Sequence, residues 1–188
     1  GTVADVMPVL GENRVLVQRG LQILNSTPRP GLRQLKAVSG YAEKPVKTTG
    51  VGFHIGPRIN VAGRLEKPDI ALELIRADSD GQAVRLAEEL NRLNARRQTM
   101  QREGMDEAEA LVSREDLARD RIVLVLGEWK LGIVGLLASK LCEKHTRPTV
   151  VCSDDAGGGL YVGSARSVPA YDISRGIGDC ADHLVTYG

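Results

Sequence analysis

Arginine set among glycine, proline and other small residues is the pattern in this chain best suited to chemistry, and it occurs twice. The first stretch is Gly56-Pro57-Arg58-Ile59-Asn60-Val61-Ala62-Gly63-Arg64, and the second is Gly163-Ser164-Ala165-Arg166-Ser167. Glycine lets a backbone approach a ligand closely and take unusual dihedrals. The guanidinium offers a planar fork of donors that matches phosphate oxygens. Two such islands, far apart in the chain, suggest two walls of one anion-binding cleft. The same residues also suit two surface turns whose arginines pair with local carboxylates, and from side-chain chemistry alone both readings stand.

Other features narrow the classes. At 188 residues the chain is one generous domain or two small ones. With one Trp, one Phe and four Tyr, it lacks the aromatics for a base-stacking platform, and its core must rest on aliphatic side chains. The net charge of +1 gives no whole-molecule attraction to nucleic acid, so any such contact depends on local clusters. Cys142, Cys152 and Cys180 are odd in number and lack a C-x-x-C spacing. They read as small buried apolar residues in a reducing compartment, not as a disulfide frame or zinc site. No apolar run reaches the length of a membrane span and no signal peptide opens the chain, which points to the cytoplasm. The opening Gly-Thr-Val-Ala-Asp-Val, without Met, reads as the interior of a longer protein.

The elements that must position the arginines follow from periodicity. Residues 2–6 read as a short strand ending at Asp5, where an aspartate serves either a metal or an Asx-turn. Val15, Leu16, Leu21 and Leu24 predict a helix, and Leu32, Leu35 and Val38 a second one beyond Pro28 and Pro30. Residues 44–56 read as a glycine-rich loop, then a short extended piece carrying His54, a structural histidine. Pro68-Asp69 opens another helix. Residues 80–112 predict a single long helix of roughly 50 Å, with too thin an apolar stripe for burial all round. Arg92, Arg96, Arg97 and Arg102 give it a basic face, whose ordinary reading is solvated charge.

After Asp120 the character changes. Ile122-Val123-Leu124-Val125-Leu126 reads as a buried strand, Gly132-Ile133-Val134-Gly135 as a helix start, and Thr149-Val150-Val151-Cys152 as a second strand parallel to the first. Gly157-Gly158-Gly159 reads as a flexible turn before a third strand, Leu160-Tyr161-Val162-Gly163. Asp172 starts a last helix running to Leu184. His145 and His183 have no partner at ligand spacing and read as structural.

Taken together, these residues resemble the RecJ family of single-strand-specific 5′→3′ exonucleases, in the DHH phosphoesterase superfamily. The matching stretches are Gly1-Thr2-Val3-Ala4-Asp5-Val6, the Gly56 to Arg64 motif, Leu93-Asn94-Ala95-Arg96-Arg97-Gln98, Gly132-Ile133-Val134-Gly135, Arg147-Pro148 and Gly163-Ser164-Ala165-Arg166-Ser167, in the family's order and over nearly the whole chain. The resemblance implies an α/β fold in three parts. These are the C-terminal part of a DHH phosphoesterase domain (1–78), a long connecting helix (79–116), and a DHH-associated nucleic-acid-binding domain with a small, mostly parallel sheet (117–188). It implies Asp5 as a metal ligand, Arg58, Asn60 and Arg64 as catalytic residues beside the scissile phosphate, and Ser164, Arg166, Ser167 and Arg96 as strand-binding residues.

The reaction so implied is phosphodiester hydrolysis by water activated on Mn²⁺ or Mg²⁺, acting on single-stranded DNA in repair and recombination, by a monomer without membrane attachment. The family's Asp-x-Asp and Asp-His-His motifs are absent from these residues, and its Gly-Gly-His motif would begin at Gly188. Asp5 alone cannot hold the cations, so the 188-residue chain is expected to be inactive by itself. Trp129-Lys130 stands where the family commonly has Trp-His. Two other readings fit the architecture: a DHH phosphodiesterase of short oligonucleotides or cyclic dinucleotides, and a non-catalytic single-strand-binding scaffold.

Overall fold

Apolar residues three and four apart dominate the first half of the chain, and helices follow from them. The structure, a computed structural model, describes residues 1–154 and 159–188, with 114–116 described by their backbone. In order come α1 (Gly11–Asn25), α2 (Pro30–Val38), α3 (Thr48–Gly50), a π-helical turn (Val51–Ile55), α4 (Gly56–Asn60), α5 (Ala62–Leu65), α6 (Asp69–Arg76) and α7 (Asp80–Ala110). Then follow α8 (Arg114–Arg119), β1 (Val123–Gly127), α9 (Leu131–His145), β2 (Thr149–Ser153), β3 (Val162–Arg166), α10 (Ile173–Gly178) and a 3₁₀ turn (Ala181–His183). The chain divides into two compact units, Gly1–Arg97 and Gln98–Gly188, and the division falls inside α7.

The first unit is helical around Leu35, Val61, Leu74, Leu90 and Leu93. Pro30 opens α2 at a position where its missing N–H costs nothing. Gly31, next to it, passes so near the carbonyl of Leu74 that a Cβ would lie 1.7 Å from that oxygen, so only glycine lets α2 meet α6 here. In α1, Leu21 and Leu24 turn inward while Val15 and Leu16 face out.

Two expectations fail in this unit. Residues 2–6 form a turn, not a strand: the Asp5 N–H reaches the Gly1 carbonyl at 2.9 Å and the Met7 N–H the Thr2 carbonyl at 3.0 Å. A strand needs a ladder partner for its backbone, and no strand occurs among the described residues of this unit. Residues 48–55 are helical, not looped and extended. Val51 and Ile55 pack on the core and override the weak helix propensity of Gly50 and Gly52.

In the second unit, β1 and β2 pair in parallel, Val123 opposite Thr149, with α9 as the crossover. β3 returns antiparallel on the other side of β2, Thr149 opposite Arg166, so the sheet is mixed, in the order β1-β2-β3. The segment joining β2 to β3 is too short for a parallel crossover. β1 is not buried on both faces: Val123 and Val125 are buried, but Leu124 is 62% and Leu126 50% exposed. α9 covers one face only, through Ile133, Val134, Leu137 and Leu141.

Trp129 ties this unit together. Its backbone N–H donates to Ser153 Oγ at 2.9 Å and its indole N–H to Glu107 Oε2 at 2.8 Å. A Cβ on Gly127 would stand 2.6 Å from the ring, and one on Gly104, in α7, 3.2 Å from it.

The third strand begins at Val162, later than read, and the last helix is shorter than read. Asp172 caps α10 by accepting from the Ser174 and Arg175 N–H groups, but Gly176 and Gly178 end it early. Gly157 and Gly158 of the glycine turn lie outside the described residues; Gly159 has φ +78°. Of the cysteines, Cys142 alone is buried; Cys152 is half-buried and Cys180 exposed, against the expectation that all three fill the core.

Candidate nucleic-acid interface

In the first unit the Gly56–Arg64 motif is helical, and the π-helical turn before it sets its start. The Gly56 N–H closes that turn on the Val51 carbonyl. A Cβ on Gly56 would lie 3.0 Å from the same oxygen and 3.2 Å from the Ala4 side chain, so the glycine both completes the turn and brings residue 4 against the motif. Asp5 follows directly, exposed at the surface.

Arg58 is held from two sides. Its Nε donates to Asn91 Oδ1 on α7 at 3.0 Å, and its Nη1 to the His54 carbonyl at 2.8 Å. It is half-buried, and burial holds its pKa below the ordinary arginine value. One turn further along α7, the Arg97 guanidinium donates to the buried Asn94 Oδ1 at 3.0 Å. Burial, and then the positive charge of Arg64, lower the Arg97 pKa. Arg64 and Arg97 thus lie within each other's field. Asn60 and Arg64, four residues apart and both exposed, line one shallow depression with Ile59, Gly63, Pro68 and Ala71.

In the second unit Ser164 and Arg166 alternate along β3 and share the face that meets α9. The Arg166 Nε donates to Ser139 Oγ at 2.9 Å, and its Nη1 to Ser164 Oγ at 2.9 Å and to the Ala165 carbonyl at 2.7 Å. Ser139 in turn donates to the Gly135 carbonyl at 3.0 Å. Ser167 points elsewhere: its hydroxyl donates to the Tyr171 carbonyl and ties down the turn ahead of α10. Burial, then Glu143, raise the Cys142 thiol pKa, while Arg166 pulls it the other way.

Arg96 is exposed on α7, and its neighbour Arg97 is the one turned toward Asn94. Sequence reading passed over Asn91, Asn94, Ser139 and Gly135 as site residues. Asn94 and Gly135 stood inside matched motifs, but nothing in the sequence marked Asn91 or Ser139 as arginine partners. Among the described residues no cluster of three or more His, Cys, Asp or Glu side chains could hold a metal. The carboxylate of Asp5 alone does not fit Mg²⁺ or Mn²⁺, which need several oxygen ligands. No helix among the described residues is long and apolar enough to cross a membrane.

No family model matches the chain. Curated relatives do. The single-stranded-DNA-specific exonuclease RecJ of Bacillus subtilis (strain 168) is 36% identical over 188 residues, which is 100% of this chain and 24% of that protein. RecJ of Thermus thermophilus is 37% identical over 188 residues, 26% of its length, and that of Escherichia coli (strain K12) 38% over 175 residues, 30% of its length. The crystal structure of Thermus thermophilus RecJ in complex with Mg²⁺ has a TM-score of 0.88 and 33% identity, covering 100% of this chain and 28% of that one. A crystal structure of exonuclease RecJ bound to manganese gives a TM-score of 0.82, with 46% of that chain covered. The chain therefore spans about a quarter to under a third of the length of its curated relatives. Along all of its 188 residues the chain belongs to the RecJ family.

Proposed function

We propose that these residues form part of the strand-binding surface of a divalent-metal-dependent, single-strand-specific 5′→3′ DNA exonuclease serving repair and recombination in the cytoplasm as a monomer. The observation that carries the proposal is the pairing of arginines with neutral polar partners at both motifs. Arg58 rests on Asn91 and Arg166 on Ser139 and Ser164, none of them a carboxylate that would neutralise the charge. An arginine oriented by amides and hydroxyls keeps its positive charge for a phosphate.

In this reading residues 1–78 complete a DHH domain, 79–116 connect, and 117–188 form the DHH-associated domain. Arg58, Asn60 and Arg64 face the scissile phosphate. Ser164, Arg166 and Arg96 hold the strand, and Ser167 shapes the turn beside them. Asp5 contributes one ligand to a Mn²⁺ or Mg²⁺ site whose other ligands lie outside these residues, so this chain binds the strand without cutting it.

The test is incubation of the purified chain with end-labelled single-stranded DNA and Mn²⁺ or Mg²⁺. Retarded migration without release of nucleotides is the expected result. Metal-dependent release of nucleotides by the chain alone, or failure to bind the strand, would overturn the proposal.

A further inference from the structure

The polar groups of Arg166 are occupied unevenly. Arginine has five N–H donors. Nε–H goes to Ser139, and the two Nη1 hydrogens go to Ser164 Oγ and the Ala165 carbonyl. The two Nη2 hydrogens have no acceptor among the described residues. That nitrogen lies over Gly135: a Cβ there would stand 3.0 Å from Nη2 and 3.1 Å from Ser164 Oγ. Gly135 and Ser139 are one helical turn apart on α9, so a single face of that helix touches the guanidinium at both ends.

Ser139 is itself fixed, because its hydroxyl hydrogen is donated to the Gly135 carbonyl at 3.0 Å, which leaves its lone pairs for Nε. The Ser164 hydroxyl accepts from Nη1 and keeps its own hydrogen for another acceptor. The result is a guanidinium locked on one edge, with Nη2 and the Ser164 hydroxyl left as adjacent donors on the flank that Gly135 leaves bare.

We infer that Gly135 and Ser139 are positioning residues. They preset Arg166 so that Nη2, together with the Ser164 hydroxyl, receives one phosphate of the strand. This rests on the reading above that Arg166 contacts phosphate. Gly135 acts by lacking a side chain. A methyl group would press on the far end of a flexible arginine, so the guanidinium would shift by a few tenths of an ångström while the fold stayed intact. Ser139 acts by supplying an acceptor that carries no negative charge. An orientation set before binding removes the ordering cost from the binding step.

The experiment is fluorescence anisotropy of a labelled oligodeoxythymidine with the 188-residue chain across a salt series, comparing Gly135→Ala, Ser139→Ala, Ser139→Thr and Arg166→Ala. Thermal unfolding of each variant reports folding. Arg166→Ala is expected to weaken binding about tenfold and to flatten the salt slope by about one phosphate. Ser139→Ala and Gly135→Ala are expected to weaken binding several-fold with the slope unchanged, because the charge stays and only its aim is lost. Ser139→Thr, which keeps the hydroxyl, restores affinity.

Loss on Arg166→Ala with parental affinity in Ser139→Ala and Gly135→Ala would overturn the positioning role and leave the phosphate contact standing. Should Gly135→Ala fail to fold, the Ser139 pair decides alone. Parental affinity and slope in Arg166→Ala would remove the phosphate contact itself, and the positioning role with it.

Discussion

At the scale of single residues, the proposed strand contact depends on what holds each arginine. Asn91 Oδ1 accepts from Arg58 Nε, so Asn91→Ala should cut oligodeoxythymidine affinity about two- to tenfold while leaving the salt slope at the parental value. Arg58→Ala should lower both. Anisotropy titrations at several salt concentrations separate the two effects, and equal slopes for parent and Arg58→Ala would remove Arg58 from the phosphate contacts. The arginines were legible in the sequence because glycine and small residues flank them. Their partners were not, because Asn91 and Ser139 lie on distant elements and become neighbours only through packing. Arg96 shows the same limit: sequence offers Arg96 and Arg97 equally, and helical phase turns Arg97, not Arg96, toward Asn94.

At the scale of elements, packing decided where propensity misled. Glycine density between residues 48 and 56 argues for a loop, yet the apolar contacts of Val51 and Ile55 keep it helical. The run at residues 122–126 looks fully apolar, yet Val123 and Val125 enter the core while the alternate residues Leu124 and Leu126 stay exposed. The long helix was legible because Leu86, Leu90, Leu93, Met100 and Ala108 form an intermittent apolar stripe with no proline among them.

Two stability predictions belong at this scale. Thr146 ends α9 in the left-handed region, φ 50° and ψ 44°, which a β-branched residue adopts at a cost. Thr146→Gly should raise stability by about 1 kcal/mol in denaturant unfolding, and a loss would contradict the assignment of strain. Glu109, near the end of α7, meets Lys144 at 2.9 Å and His145 at 3.2 Å on α9. Burial pushes the Glu109 pKa up, but the hydrogen bonds and charges of Lys144 and His145 outweigh it and hold it below the ordinary value. A carboxylate with a depressed folded pKa stabilises above its unfolded pKa of about 4.3, and that contribution disappears as pH falls through the folded value. Glu109→Gln should therefore be less stable than the parent at neutral pH, with the gap closing in acid. A gap that persisted at low pH would point to packing instead of charge.

At the scale of the whole molecule, a chain with net charge +1 can bind a polyanion only through placed charges, and here each unit carries its own oriented arginine. The family was legible from the order of six short motifs. Asp5 is the metal-ligand candidate that the sequence offers, and no cluster among the described residues adds to it. The most direct test of the central claim, that Arg58 and Arg166 each grip a phosphate of a single strand, is the salt dependence of oligodeoxythymidine binding by the parent chain and by Arg58→Ala, Arg166→Ala and the double variant. For single strands each lost contact should flatten the slope of log K against log salt by about 0.7, and by about 1.4 in the double variant. Four parallel slopes would contradict it.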